Sequence, residues 1–180
     1  VFIGANNSGK TTIVEALALL FGRDRMVRSL TEHDFFGGNP GAAQRIRITA
    51  TIVGFEHNDV SKHADWFTPD RAVPKWLHED TGELLPEPNS SNSQLACQVG
   101  FAARFDRTSL EVETVRYFVD DEDFDVFEDE AYQGIPSRLL RELGFFFVPA
   151  SRTWDRVISF TGELFRRVLT SGDGVPAQAI

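Results

Sequence analysis

Residues 4–12 read Gly-Ala-Asn-Asn-Ser-Gly-Lys-Thr-Thr, which fits the spacing G-x-x-x-x-G-K-[ST] without a mismatch. These residue types in this order suit the cradling of a polyphosphate. Gly4 lets the chain turn sharply off a preceding strand. Gly9 removes a Cβ where the backbone must approach phosphates. Successive N–H groups from about Asn7 to Thr12 form an anion-binding nest, and a helix opening at Lys10 adds its positive end to the same spot. Lys10 is the residue expected to reach the β- and γ-phosphates and to serve the chemistry. The Thr11 hydroxyl is the expected Mg²⁺ ligand. The expected nucleotide-binding set is Gly4, Asn6, Asn7, Ser8, Gly9, Lys10, Thr11 and Thr12. The competing readings are a ligand-free glycine turn and a loop that binds nucleotide without hydrolysing it.

Hydrolysis would also need a carboxylate at the end of a buried, continuously apolar strand. Tyr117-Phe118-Val119-Asp120-Asp121 is the nearest approach. Arg116 interrupts its apolar run and the segment alternates like an antiparallel strand, so the reading preferred is a strand running into an acidic loop. Phe145–Val148 is fully apolar but leads into Pro149-Ala150-Ser151-Arg152, with no carboxylate directly after it. Arg152 is placed either to touch a phosphate or to lie in solvent or a salt bridge. His33, His57, His63 and His78 have no partners at metal-site spacing and read as surface residues. The acidic run Asp120–Glu130 reads as a solvated loop.

The elements that must hold these residues follow from periodicity. Val1–Ile3 reads as the end of a strand. Ile13, Ala16, Leu17 and Leu20 put Lys10–Phe21 in a helix, and its other faces are apolar enough to make it largely buried. Gly22 stands where a helix-ending glycine belongs. Gly37–Gly41 signals a loop. Arg45–Phe55 alternates as a half-buried strand, with Ile46, Ile48, Ala50 and Ile52 on one face. Residues 56–94 carry four prolines and a polar end. They read as a loop-rich insertion with one short helix near Ala72–His78. Residues 95–119 form a long antiparallel hairpin turning at Asp106–Ser109. Pro136–Leu143 and Asp155–Leu169 read as helices.

Composition sets the limits. The 180 residues are 42% hydrophobic and 25% charged, enough for one folded domain and too apolar for a disordered chain. The net charge of −9 argues against a basic footprint over most of the surface. The single cysteine, Cys97, forbids an intrachain disulfide and fits a reducing cytoplasm. No apolar run reaches membrane-spanning length. A strand that begins at its own end, with Val1 in place of Met, suggests a piece of a longer protein and an incomplete domain.

The stretch Val1–Gly22, with Asn7-Ser8-Gly9-Lys10-Thr11-Thr12 followed by Glu15-Ala16-Leu17, resembles the start of the ABC-type ATPases of the RecF, SMC and OLD group. Within it, Asp34-Phe35-Phe36, the strand ending at Phe55 and Pro149-Ala150-Ser151-Arg152 are most similar to the OLD (overcoming lysogenization defect) family of ATP-dependent endonucleases. That resemblance implies an α/β fold, the first lobe of a P-loop ABC-type ATPase head with an antiparallel β subdomain. It implies ATP and Mg²⁺ as ligands and composite ATP sites in a homodimer or higher homo-oligomer. It also implies DNA as a partner of the parent protein, whose signature motif, Walker B strand and Toprim nuclease domain would lie beyond Ile180. Gln94 and Gln98 both stay open for the family's Q-loop glutamine. A RecF- or SMC-like ATPase that clamps DNA without cutting it is the alternative, and a P-loop kinase or GTPase of another class a third.

Overall fold

The helix α1 occupies Lys10–Phe21 in a computed structural model that describes residues 8–22, 29–88, 92–121, 124–128 and 132–145. The expected strands at Val1–Ile3 and Phe145–Val148 and the helix at Asp155–Leu169 lie outside the described residues, apart from Phe145. After α1 come the strands β1 (Ile46–Ile52), β2 (Lys75–His78), β3 (Leu84–Leu85), β4 (Ser93–Asp106) and β5 (Glu111–Phe118), then the short helix α2 (Ser137–Glu142). The described residues all fall within one compact unit.

All five strands join one antiparallel sheet built around β4. β1 pairs with one edge of β4, from Ile46 opposite Ala103 to Ile52 opposite Cys97. β5 pairs with the other edge, from Val99 opposite Phe118 to Asp106 opposite Glu111. Where β5 ends, β2 takes over, with Lys75 opposite Ala96 and His78 opposite Ser93, and β3 pairs with β2. Asp120 bridges the change of partner, its carboxylate accepting the Val73 N–H at 3.3 Å. The helix expected near Ala72–His78 is therefore a strand. The length of β4 beyond β5 leaves unpaired backbone groups there, and β2 satisfies them. The region expected as a loop-rich insertion supplies two strands and part of the core.

The alternation in β1 is borne out: its residues are in turn half-buried and exposed. Leu20, Phe35, Leu95, Cys97, Val99, Phe101, Phe118 and Leu139 are buried together in the main core. The inserted region seals one side with aromatic rings, Phe55 packing edge-on against Trp66 (5.7 Å) and Phe67 (5.0 Å). β4 is buried on both faces over most of its length. Its second face carries Ala102 against Tyr117, Val119 and Val126.

Val126 belongs to the acidic run, which corrects the expectation of a solvated loop. Apolar Phe124, Val126 and Phe127 sit among the carboxylates and pack on the sheet. Asp125 meets Arg45 Nε at 3.2 Å and Arg47 Nη2 at 3.4 Å, and Glu128 meets Arg45 Nη2 at 3.4 Å. The Phe127 ring lies 5.5 Å from the Arg45 guanidinium and 4.8 Å from that of Arg104, within cation–π range of both.

α1 also departs from expectation. Ala18 and Leu20 are buried, but residues 11–15 are exposed, Ile13 and Val14 among them. The described core packs only against the C-terminal half of the helix. Gly22 donates its N–H to the Ala18 carbonyl at 2.8 Å, yet its backbone is extended (φ −70°), so the helix ends without a left-handed glycine.

Candidate nucleotide-binding site

Of the expected phosphate-binding set, Ser8, Gly9, Lys10, Thr11 and Thr12 are described. Gly4, Asn6, Asn7 and Arg152 lie outside the described residues. The local conformation comes from Gly9. It is the N-cap of α1 with φ 80° and ψ 5°, the left-handed region that a Cβ strongly disfavours. Its carbonyl accepts the Ile13 N–H at 3.1 Å, the first bond of the helix. No side chain caps the helix start. A left-handed residue followed by right-handed helix turns successive N–H groups toward one point, the geometry of an anion nest.

Charge at this end of α1 agrees with that geometry. The first turn holds no acidic residue to offset the positive end of the helix dipole. The Lys10 ammonium donates to Ser8 Oγ at 3.1 Å. Thr11 and Thr12 are exposed in the first turn. A hydroxyl there is hard-oxygen chemistry that suits Mg²⁺. The residues present thus fit a Mg²⁺-bound polyphosphate.

The other end of α1 is held by a residue whose role the sequence did not signal. Arg116, on β5, donates from Nε to the Leu19 carbonyl at 2.9 Å across 97 residues of chain. In the sequence Arg116 is only an interruption in an apolar run. A cation at a helix C-terminus is complementary to the dipole, but the contact is too distant in sequence to read from spacing.

The remaining candidates are occupied by structural work. Gln98 is buried and accepts from Lys75 Nζ, which also donates to the Val119 carbonyl at 3.0 Å. Gln94 donates to Glu79. Tyr117 and Phe118 are buried on the antiparallel strand β5 and Val119 is buried directly after it, so Asp120 and Asp121 do not follow the parallel strand a Mg²⁺-holding carboxylate calls for. His63 Nε2 lies 2.9 Å from the Glu56 carbonyl, and His78 Nδ1 accepts the Asp80 N–H at 3.3 Å. Among the described residues no group of three His, Cys, Asp or Glu side chains is placed to hold a metal ion. Burial pushes the Cys97 thiol up to about 12, with Asp120 adding to the effect and Lys75 opposing it, so the thiol is unreactive at neutral pH. A shallow depression lies elsewhere, lined by Lys62, His63, Asp65, Trp66 and Glu142. It is open and of mixed charge, and contains none of the phosphate-binding residues. No helix among the described residues is long and apolar enough to cross a membrane.

Residues 1–59 match a family model described as "AAA domain, putative AbiEii toxin, Type IV TA system". No curated protein and no solved structure matches the chain. The matched span covers the phosphate-binding motif, α1 and β1, and supports an ABC- or AAA-type ATPase region in this part of the chain.

Proposed function

We propose that this chain binds ATP with Mg²⁺ at Gly4–Thr12 and forms the first lobe of an ABC-type P-loop ATPase head. The observation that carries the reading is the left-handed Gly9 at the start of α1, directly before Lys10, with no carboxylate in the first turn. Lys10 neutralises the β- and γ-phosphates, the nest and the helix end hold them in place, and Thr11 holds Mg²⁺. Bound Mg²⁺ supplies Lewis-acid polarisation of the terminal phosphoryl group. A phosphate needs several such donors at once, because a single helix end contributes only ~0.3–1 kcal/mol at an exposed site.

Titration calorimetry with Mg²⁺–ATP tests this. Lys10→Ala should abolish or severely weaken binding while far-ultraviolet circular dichroism stays unchanged. Equal affinity in the variant would sink the reading.

The finer proposal is an ATPase module of an OLD-like, ATP-dependent DNA endonuclease, acting as a homodimer or higher oligomer in the cytoplasm. The support is the set of residues that resemble that family, of which Asp34, Phe35, Phe36 and the segment running to Phe55 are described, although the strand itself ends at Ile52. The Asp34 carboxylate accepts the Thr31 N–H at 2.8 Å in a reciprocal cap, and Phe35 is buried in the main core. A metal-dependent DNA-cleavage assay on the parent protein decides the matter. Nicking or cutting that needs Mg²⁺ supports the endonuclease. ATP-dependent DNA binding without cleavage moves the protein to the RecF- or SMC-like class.

A further inference from the structure

We infer that Arg116 is a positioning residue that couples nucleotide binding at the start of α1 to the order of β5, an inference that rests on the nucleotide-binding reading above. Among the described residues α1 is packed at its C-terminal end. Leu20 is fully buried and Phe21 packs against Phe145 at 5.9 Å, whereas residues 11–15 are exposed. A ligand at Gly9–Thr12 therefore loads the end of a rod whose pitch is fixed at the other end.

The fixing contact is specific. The last carbonyls of a helix lack intrahelical partners. Ala18 finds one in the Gly22 N–H, and Leu19 finds one in the Arg116 guanidinium. The last turn of α1 has no basic residue of its own, so β5 supplies the cation that complements the dipole there.

Arg116 also belongs to a second set of bonds. Its backbone carbonyl accepts the Ile135 N–H at 3.1 Å, and the adjoining Phe118 N–H donates to the Gln133 carbonyl at 2.9 Å. These bonds tie β5 to the segment that enters α2, whose Leu139 is buried in the same core as Leu20. One residue, through its side chain on Leu19 and its backbone on Ile135, thus joins the rod that carries the phosphate nest to the strand and segment behind it. Without that tie α1 pivots or frays at its C-terminal turn. The nest must then be ordered at the expense of binding energy, and by linkage nucleotide no longer steadies β5.

The test uses this chain with Arg116→Ala and Arg116→Lys, with circular dichroism as a check on folding. Two quantities are measured: Mg²⁺–ATP affinity by calorimetry, and amide hydrogen exchange at residues 19–22 and 115–118 with and without nucleotide. In the wild type, nucleotide should slow exchange in both segments. Arg116→Ala should bind roughly tenfold more weakly and lose the nucleotide-dependent protection of β5. Arg116→Lys keeps the charge without the planar fork and should fall between; it also serves as the readout if Arg116→Ala does not fold. A variant that melts earlier but keeps wild-type affinity and wild-type transmission of protection would overturn the inference and make Arg116 purely structural. If the wild type itself binds no Mg²⁺–ATP, the nucleotide reading has failed and the coupling with it. Wild-type binding with unaltered variants condemns the coupling alone.

Discussion

Gly100 lies in the middle of β4, opposite Tyr117 of β5. A Cβ built there would stand 2.8 Å from Tyr117 Cζ, 2.9 Å from Tyr117 Cε1 and 2.8 Å from Val119 Cγ2. The tyrosine ring lies over the glycine and fills the space that a side chain would take. Tyr117 is buried, and that burial raises its hydroxyl above the ordinary range. The ring cannot swing away without opening the cluster it forms with Ala102, Val119 and Val126. Gly100→Ala should therefore cost about 1–3 kcal/mol as an overpacking change, read as a lower urea midpoint with an unchanged slope. Unaltered stability would mean that the ring does not sit over the glycine. Gly9 is constrained in a different way. Nothing lies within 4 Å of a Cβ placed there, and it is the left-handed backbone that requires glycine. The sequence could reveal Gly9, because its motif is local. It could not reveal Gly100, because the ring that crowds it is 17 residues away on another strand.

At the scale of elements, β1 ends at Ile52 while β4 continues, and a side chain completes the pairing. Asn58 accepts the Leu95 N–H through Oδ1 at 3.0 Å and donates to the Ser93 carbonyl through Nδ2 at 3.3 Å. The amide group imitates one more residue of strand. His57 and Asn58 both adopt left-handed backbone, with φ 64° and 51°, to bring it there, and asparagine tolerates that region better than most residues. Leu95 is fully buried, so its N–H has no access to water once the amide is removed. Asn58→Ala should cost about 1–3 kcal/mol and should sharply speed amide exchange at Leu95. Slow exchange at Leu95 in the variant would show that another acceptor serves that amide. α1, β1 and the β4–β5 hairpin were legible in the sequence, since a period of 3.6 or 2 in apolar residues marks each of them. β2 was not, because Lys75–His78 is too short to display a period and follows Pro74 in a proline-rich stretch. Its strand state comes from the edge of β4 that it completes.

Over the described part of the molecule as a whole, charge is arranged more tightly than a net −9 suggests. Arg45, Arg47 and Arg104 share one face of the sheet, and residues 124–128 cover it. Composition shows the acidic run but not its docking, because the arginines that receive it lie some 20 to 80 positions earlier. Asp125 is central to the arrangement. Burial alone would raise its carboxyl, but the Phe127 N–H and the Arg45 and Arg47 cations outweigh burial and hold it below the ordinary carboxylate value. A carboxyl whose folded value is lowered binds protons more readily when unfolded. Its stabilisation is therefore complete above the unfolded value near ~4 and is lost as pH falls through the folded value. Asp125→Asn should be less stable than the wild type at pH 7, because it leaves the buried Arg45 guanidinium with only Glu128 as a carboxylate partner among the described residues. The difference should shrink steadily as pH drops below ~4, where the wild-type carboxyl is itself being neutralised. Urea denaturation of both proteins between neutral and acid pH measures that convergence. Parallel curves, with the gap unchanged at acid pH, would show that the segment is held by Val126 and the aromatic rings and that the ion pairs contribute nothing to its docking.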